Sequence, residues 1–350
     1  MKTQLRRAAL TILKNCGAFG VVRDSAWRRQ RLLILCYHGV ALDDEDQWRP
    51  HLFIHPQSLA RRLEILERGK YAVLPLGEAL DRLRSGDLPP RSVVLTFDDG
   101  GYDFYKRAFP LLKQYGFPAT VYLTSYYSEL RVPAFNLICS YMLWKSRTLR
   151  RLDLKEFGTK RQPDLISAND REVAVGEIVE WADQQNINGH EKDQVAARLA
   201  QRLGIHYEEL REKRILQLMN RDEVGELASE GVDFQLHTHR HRTPMDEELF
   251  RREIRDNRAY IAGIVAGERS HFCYPSGAYR PVFLEWLAKE RIVSATTCDT
   301  GIATAKNNPL LLPRVVDTSG RTDLEFESWV NGIGYFLSRR RRARHAYVPG

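Results

Sequence analysis

Ser92-Val93-Val94-Leu95-Thr96-Phe97-Asp98-Asp99-Gly100 joins an apolar run to a pair of adjacent carboxylates. The β-branched and large apolar residues are typical of a buried strand, and the glycine marks its end. Two neighbouring carboxylates at the end of a buried strand repel each other and lose hydration, so a cation or a proton must stabilise them. The stretch predicts a strand of an α/β core with a charged site at its carboxyl end.

Short apolar runs alternate with helical patterns on both sides of this stretch. The predicted strands are 32–37, 72–74, 92–97, 118–123, 232–236, 271–274, 292–296 and 310–315. Helical segments separate them, among them Pro56–Arg68, a helix that begins at Thr243, and one closing helix, Leu324–Leu337. This alternation favours parallel strands covered by helices, and 350 residues suit one α/β barrel or a barrel with an insertion.

Residues 127–218 interrupt the alternation because they are polar, largely helical in pattern and without a strong strand. We interpret them as an insertion that either adds packing or forms a lid or groove wall. The expected organisation is a basic N-terminal segment, 1–30, a barrel over 31–322 interrupted by this insertion, and a C-terminal helix with a basic tail, 323–350.

Basic residues exceed acidic ones, 53 to 45, and the excess is concentrated at the two ends. A nucleic-acid enzyme would carry its positive field across the working face, so we expect no nucleic-acid partner. The basic ends are interpreted either as solvated tails or as a loose attachment of residues 4–22 to an anionic membrane surface.

The remaining bulk features favour a cytoplasmic protein, with membrane association as the alternative. Lys14 and Asn15 interrupt the first apolar run early, which argues against a secretory signal, and no apolar stretch has the length of a membrane span. The five cysteines are odd in number and show no CxxC spacing, a pattern typical of reduced thiols.

The second cluster of ligand-type side chains is His237-Thr238-His239-Arg240-His241, directly after the predicted strand 232–236. A spacing of four residues can direct two imidazoles at one ion. With one carboxylate of the Asp98–Asp99 pair this gives three protein ligands and an open position, the arrangement of a catalytic zinc or similar metal. The other carboxylate can take a proton from a bound water. Alone, either cluster also fits a solvated turn.

Both clusters resemble the first two motifs of the polysaccharide deacetylase family, also known as the NodB-homology domain or carbohydrate esterase family 4. Tyr102, 110–112 and 116–120 fit the same pattern, and 272–277 resembles the third motif. The resemblance covers roughly residues 31–127 and 218–317. It implies a distorted (β/α) barrel with a helical insertion that removes N-acetyl groups from an oligo- or polysaccharide.

The resemblance also implies a role for each matching residue. Asp98 corresponds to the catalytic base, and Asp99, His237 and His241 correspond to ligands of a divalent metal, with zinc favoured and cobalt, nickel or iron also admitted. In the third motif, the residues expected at the substrate and the oxyanion are Tyr274, Pro275, Ser276 and Gly277. The backbone N–H of Ser276 would help to hold the tetrahedral oxyanion.

Three departures from the family pattern concern the second half of the reaction. Cys273 stands where the family often has arginine, Ser276 stands where an aromatic residue is common, and the Leu-x-His general acid is missing. Leu312-Pro313-Arg314 matches a Leu-Pro-Arg variant, so Arg314 either orients Asp98, contacts substrate or pairs with a surface acid.

The proton donor is therefore open. His38, after the first predicted strand, is a candidate donor or a hydrogen-bonded structural histidine, and His239 is expected to face away from the ligands. Two alternatives to the deacetylase remain: a carbohydrate-binding pseudoenzyme that lost the acid step, and a hydrolase of another small amide.

Overall fold

The structure is a computed structural model and describes residues 2–338. The predicted basic tail, with Arg339–Arg344 and His345, lies outside the described residues.

Ten β-strands are found in the described part of the chain, and all pairings between them are parallel. They are β1 Leu33–Tyr37, β2 Gly39–Val40, β3 Phe53–Ile54, β4 Ala72–Val73, β5 Ser92–Asp99, β6 Thr120–Leu123, β7 Asp233–Leu236, β8 His271–Cys273, β9 Ser294–Thr300 and β10 Leu312–Val316. Seven of them form a closed ring in the order β1-β10-β9-β8-β7-β6-β5, because β5 also pairs with β1. Strand β4 joins the first two residues of β5. The predicted barrel is confirmed.

The helices lie around this ring and at the chain ends. They are α1 Lys2–Asn15, α2 Ala18–Arg23, α3 Ala26–Arg29, α4 Glu45–Trp48, α5 Pro56–Arg68, α6 Leu76–Ser85, α7 Phe109–Tyr115, α8 Tyr126–Leu130, α9 Phe135–Lys145, α10 Ala168–Gln184, α11 Gly189–Leu203, α12 Tyr207–Glu212, α13 Arg221–Ser229, α14 Glu247–Ala262, α15 Pro281–Lys289, α16 Asp323–Asn331 and α17 Ile333–Leu337. None of these helices has the length and apolar character that crossing a bilayer requires.

The two faces of the strands enter different clusters, because successive side chains point in opposite directions. Leu33 and Val93 belong to the large core that includes the surrounding helices, whereas Ile34 and Val94 pack with residues of α6. On β5 the side chains of Thr96 and Asp98 point to the same face of the strand as Val94. The same alternation that builds the core therefore fixes the direction of the Asp98 side chain.

The segment predicted as an insertion contains most of α8 and all of α9–α12, and these helices have a hydrophobic cluster of their own around Ile138, Met142, Ile178 and Leu199. Its two ends meet, since the Ser128 hydroxyl donates to the carbonyl of Met219. The insertion therefore leaves the barrel and returns to it at one place.

The basic N-terminal segment is folded, in contrast to the solvated-tail interpretation. Leu10 of α1 and Phe19 of α2 are buried against Ile333. Arg28 is fully buried and donates to the carbonyls of Val330, Arg31 and Ser92. These contacts hold the first three helices against the C-terminal ones.

Two predicted helix boundaries are wrong for local reasons. The helix expected from Thr243 begins at Glu247, because the Asp246 carboxylate accepts the N–H of Leu249 as its N-cap. The single closing helix is two helices, α16 and α17, separated by Gly332 at φ 101°. The glycine allows a left-handed turn that side chains disfavour, and a Cβ there would lie 2.7 Å from Trp27.

Candidate metal centre

One carboxylate oxygen meets two imidazole nitrogens at the carboxyl ends of β5 and β7. Asp99 Oδ1 lies 3.1 Å from His237 Nε2 and 3.3 Å from His241 Nε2. The imidazoles project from the loop after β7 rather than from a helix. His237 is buried while Asp99 and His241 are partly exposed, so the cluster opens to solvent on one side. The structure thus brings the three predicted ligands together.

The hydrogen bonding of His237 fixes which nitrogen faces the cluster. Its Nδ1 lies 2.8 Å from the carbonyl oxygen of Cys273, which can only accept, so Nδ1 carries a proton. In a neutral ring the Nε2 lone pair then faces the Asp99 carboxylate, and only a proton or a cation between them makes the contact favourable. Burial lowers the pKa of His237, but the hydrogen bond to Asp99 and the charges of both aspartates outweigh burial and raise it above the ordinary value. This donor set fits a divalent ion.

Asp98, next along β5, is held by a guanidinium. Arg314 Nη1 and Nη2 donate to Asp98 Oδ1 and Oδ2, each at 2.7 Å, and both side chains are inaccessible to solvent or nearly so. Burial favours the neutral carboxyl, but the Arg314 charge holds the pKa of Asp98 well below its usual range. Of the three roles considered for Arg314, orientation of Asp98 matches this geometry, and pairing with a surface acid does not.

Two thiols complete the surroundings of Asp98. Cys36 Sγ and Cys273 Sγ lie 3.5 and 3.4 Å from Asp98 Oδ2. Burial raises the pKa of both thiols well above the ordinary value, so they remain protonated donors. Both also fall within ligand distance of Asp98 and a histidine, but Arg314 occupies the two oxygens of Asp98 and would repel a cation there.

His38 faces the same carboxylate from the end of β1. Its Nε2 lies 3.7 Å from Asp98 Oδ2. Burial lowers the pKa of His38 although Asp98 raises it in part, so the ring is neutral at neutral pH. His239 faces away from the ligands, as expected, with its Nδ1 2.9 Å from the Ser125 hydroxyl.

The third-motif residues form a turn directly after β8. Pro275–Gly277 is a 3-10 turn in which Ser276 has φ 56°, and a Cβ on Gly277 would lie 2.7 Å from Cys298. The Tyr274 side chain lies in the barrel core and its hydroxyl donates to the carbonyl of Leu310. Tyr274 therefore points away from the solvent-facing side of the site, in contrast to the substrate contact expected for it.

Four of the twelve non-glycine residues with positive φ in the described part of the chain lie at this site. Asp99 has φ 70°, Thr238 63°, His241 53° and Ser276 56°, all in the left-handed region that side chains disfavour. Each such residue costs on the order of 1 kcal/mol or more and persists only where its surroundings hold it.

Sequence reasoning missed two residues of α14 that hold the histidine loop. Asn257 accepts the N–H of His237 and donates to the Leu123 carbonyl, and Glu253 accepts from the N–H of Arg240. Both are buried. The available signal was two polar residues on the apolar face of α14, beside Phe250, Ile254 and Ile261.

A sequence profile described as "Polysaccharide deacetylase" matches residues 85–139 and 187–294. These ranges contain the three candidate ligands, Asp98 and the third-motif turn, while His38 and Arg314 lie outside them. Over 100 residues the chain is 28% identical to the poly-beta-1,6-N-acetyl-D-glucosamine N-deacetylase of Escherichia coli (strain K12). That alignment covers 28% of this chain, which spans only 15% of the length of that curated relative.

Solved structures with similar folds cover more of the chain. The Streptococcus pyogenes deacetylase PplD in complex with acetate has a TM-score of 0.53 and 20% identity over 83% of this chain and 93% of that one. IcaB from Ammonifex degensii has a TM-score of 0.51 and 17% identity over 86% of this chain and 97% of that one. At these identities the likeness establishes the fold.

Proposed function

Because the chain belongs to the polysaccharide deacetylase family, we propose that it removes N-acetyl groups from an N-acetylated oligo- or polysaccharide with the help of a divalent metal. One observation carries the proposal: two imidazoles converge on one oxygen of Asp99 while the adjacent Asp98 is kept ionised by Arg314. This combination offers a candidate cation site and a base at neighbouring positions, an arrangement suited to metal-assisted hydrolysis of an amide.

Asp99, His237 and His241 would hold the metal, with zinc the first choice for two imidazoles and a carboxylate. A bound divalent ion supplies Lewis acidity toward the amide carbonyl and lowers the pKa of bound water. Asp99 and His241 remain partly open to solvent, which leaves access for substrate and water.

The proton path uses Asp98 and His38. As the water oxygen bonds to the acetyl carbon, its proton passes to Asp98. A proton there is strongly acidic, because Arg314 favours the charged carboxylate, so it passes on to the neutral imidazole of His38, 3.7 Å away. His38 then protonates the sugar nitrogen as the C–N bond breaks, releasing acetate and a free amine. This relay assigns the acid step that the missing Leu-x-His motif leaves open.

The backbone N–H at Ser276 is the proposed oxyanion donor. The turn Pro275–Gly277 begins two residues after Cys273, whose carbonyl binds His237, so the same strand end supports both ligand and turn. Poly-β-1,6-N-acetyl-D-glucosamine is the first polymer to test, because the E. coli relative is named as a deacetylase of that polymer.

The test is acetate release from β-1,6- and β-1,4-linked N-acetylglucosamine oligomers by zinc-loaded protein. Asp98→Asn and His38→Ala should each lower kcat by about 10²–10⁴, the usual contribution of a positioned acid or base. Asp222→Asn and His190→Ala are matched controls, because both side chains are exposed and remote from the cluster in sequence.

Other results would select another function. Stoichiometric metal without acetate from any glycan would favour a hydrolase of another small amide. Failure to bind any divalent metal would favour a carbohydrate-binding pseudoenzyme. Full activity of Asp98→Asn would refute the proton path while leaving the activity itself intact.

A further inference from the structure

Helix α1 presents an apolar stripe to solvent. Leu5, Ala8, Ala9 and Ile12 follow the i, i+3, i+4, i+7 pattern and cover about 100° of the helix surface. All four are exposed, and Leu5 and Ile12 retain 65% and 67% of their accessible surface. Isolated exposed leucines are ordinary, but an ordered stripe on one helix face indicates a binding surface.

The opposite face of α1 is already in use. Leu10 is buried in the cluster with Phe19 and Ile333, and Arg7 and Lys14 form ion pairs with Glu325 and Glu327 of α16. The contacts with α16 therefore set the orientation of the helix and direct the stripe outward. Packing against the rest of the described chain does not account for it.

The charge of α1 distinguishes between the kinds of partner that could cover the apolar stripe. The first acidic residue of the sequence is Asp24, while the residues before it include the bases Lys2, Arg6, Arg7, Lys14 and Arg23. Three of these five are ion-paired, Arg7 with Glu325, Lys14 with Glu327 and Arg23 with Asp24, but α1 itself contains no acidic residue. A symmetric contact between two copies through this face would bring equal cationic helices together, which opposes dimerisation. An anionic lipid surface accepts the apolar stripe and attracts the net positive charge of α1 at the same time.

We propose that α1 is a membrane-docking helix, which inserts the stripe Leu5, Ala8, Ala9 and Ile12 into the interface of an anionic bilayer while α16 anchors it to the barrel. The helix lies in the plane of the interface, because its opposite face is fixed to protein. The attachment is reversible, since one short helix buries limited apolar surface.

The test is co-sedimentation of the full chain with vesicles, without metal or substrate, so that the result is independent of catalysis. We expect binding to vesicles of equimolar phosphatidylcholine and phosphatidylglycerol, at least about tenfold weaker binding to phosphatidylcholine alone, and loss of binding as salt rises. Leu5→Ser/Ile12→Ser should weaken binding to the mixed vesicles by about tenfold or more without changing charge.

The matched control is Leu149→Ser/Ile166→Ser, because these two side chains are also large, apolar and exposed but lie in the insertion. Its binding should equal that of the unaltered chain, and circular dichroism should show all variants folded. Equal vesicle binding by Leu5→Ser/Ile12→Ser would overturn the proposal. So would a concentration-dependent dimer that this variant abolishes, in a chain that does not sediment with vesicles.

Discussion

Replacing Arg314 by leucine tests whether the buried ion pair organises the site. The Arg314 side chain makes five hydrogen bonds, two of them at 2.7 Å to Asp98, and has no solvent exposure. Its removal leaves the Asp98 carboxylate buried without a countercharge, which costs about 3–5 kcal/mol of unfolding free energy. Such a loss lowers Tm by roughly 4–7 °C in a chain of this size. Urea and thermal unfolding at neutral pH measure it.

Two companion variants give this measurement its meaning. Arg314→Leu/Asp98→Asn removes both charges and should recover most of the loss, because no unpaired charge remains. Arg68→Leu breaks an exposed ion pair with Glu64 and should cost less than about 1 kcal/mol. A loss of that small size for Arg314→Leu, or no recovery in the double variant, would refute the reasoning.

The contribution of Asp98 to stability changes with pH in opposite directions in the unaltered chain and in Arg314→Leu. In the unaltered chain the pKa of Asp98 is lowered on folding, so its contribution is present above the unfolded value and is lost as pH falls. In Arg314→Leu burial would act alone and raise that pKa above the unfolded value of about 3.9. The deficit of this variant should therefore shrink as pH is lowered, and a deficit that grows would contradict the assignment.

Of three further predictions, two concern residues near the site and one concerns the junction of α16 and α17. Asn257→Ala should weaken metal binding about 10–100-fold by isothermal titration, because the N–H of His237 loses its acceptor; unchanged affinity would mean that Asn257 serves only packing. Burial raises the pKa of Asp103 to about 7 despite the N–H it accepts from Val40, so its ionisation removes stability as pH rises from about 4 through 7, and Asp103→Asn should flatten that part of the stability profile. Gly332→Ala should destabilise in urea by more than Gly204→Ala: both glycines have positive φ, costing about 1–2 kcal/mol, but only position 332 lacks room for a Cβ; equal effects would exclude the steric part.

The barrel and the ligand cluster could be predicted from the sequence because both depend on local patterns. The apolar run 92–97 and the strand–helix alternation indicate parallel strands without tertiary information, and such strands end at a common edge. His237, His241 and one carboxylate of the Asp98–Asp99 pair could therefore be grouped from their positions after two strands, whereas the choice of Asp99 as the ligand came from the family resemblance.

Contacts between residues far apart in the sequence could not be predicted from local sequence patterns. Arg314 lies 216 residues from Asp98, and its sequence context left three roles open: orienting Asp98, contacting substrate or pairing with a surface acid. Asn257 is one of two polar residues on the apolar face of α14, and only the packed loop reveals that it supports His237. The lack of room for a side chain at Gly332 depends on the proximity of Trp27, which no window of neighbouring residues contains.

The joining of the insertion's two ends, where Ser128 contacts Met219, separates two kinds of evolutionary change. Segments of different length or composition can be exchanged between these points without altering the order of the barrel strands. The helical unit and the strand ends that bear the candidate ligands can then change independently of each other.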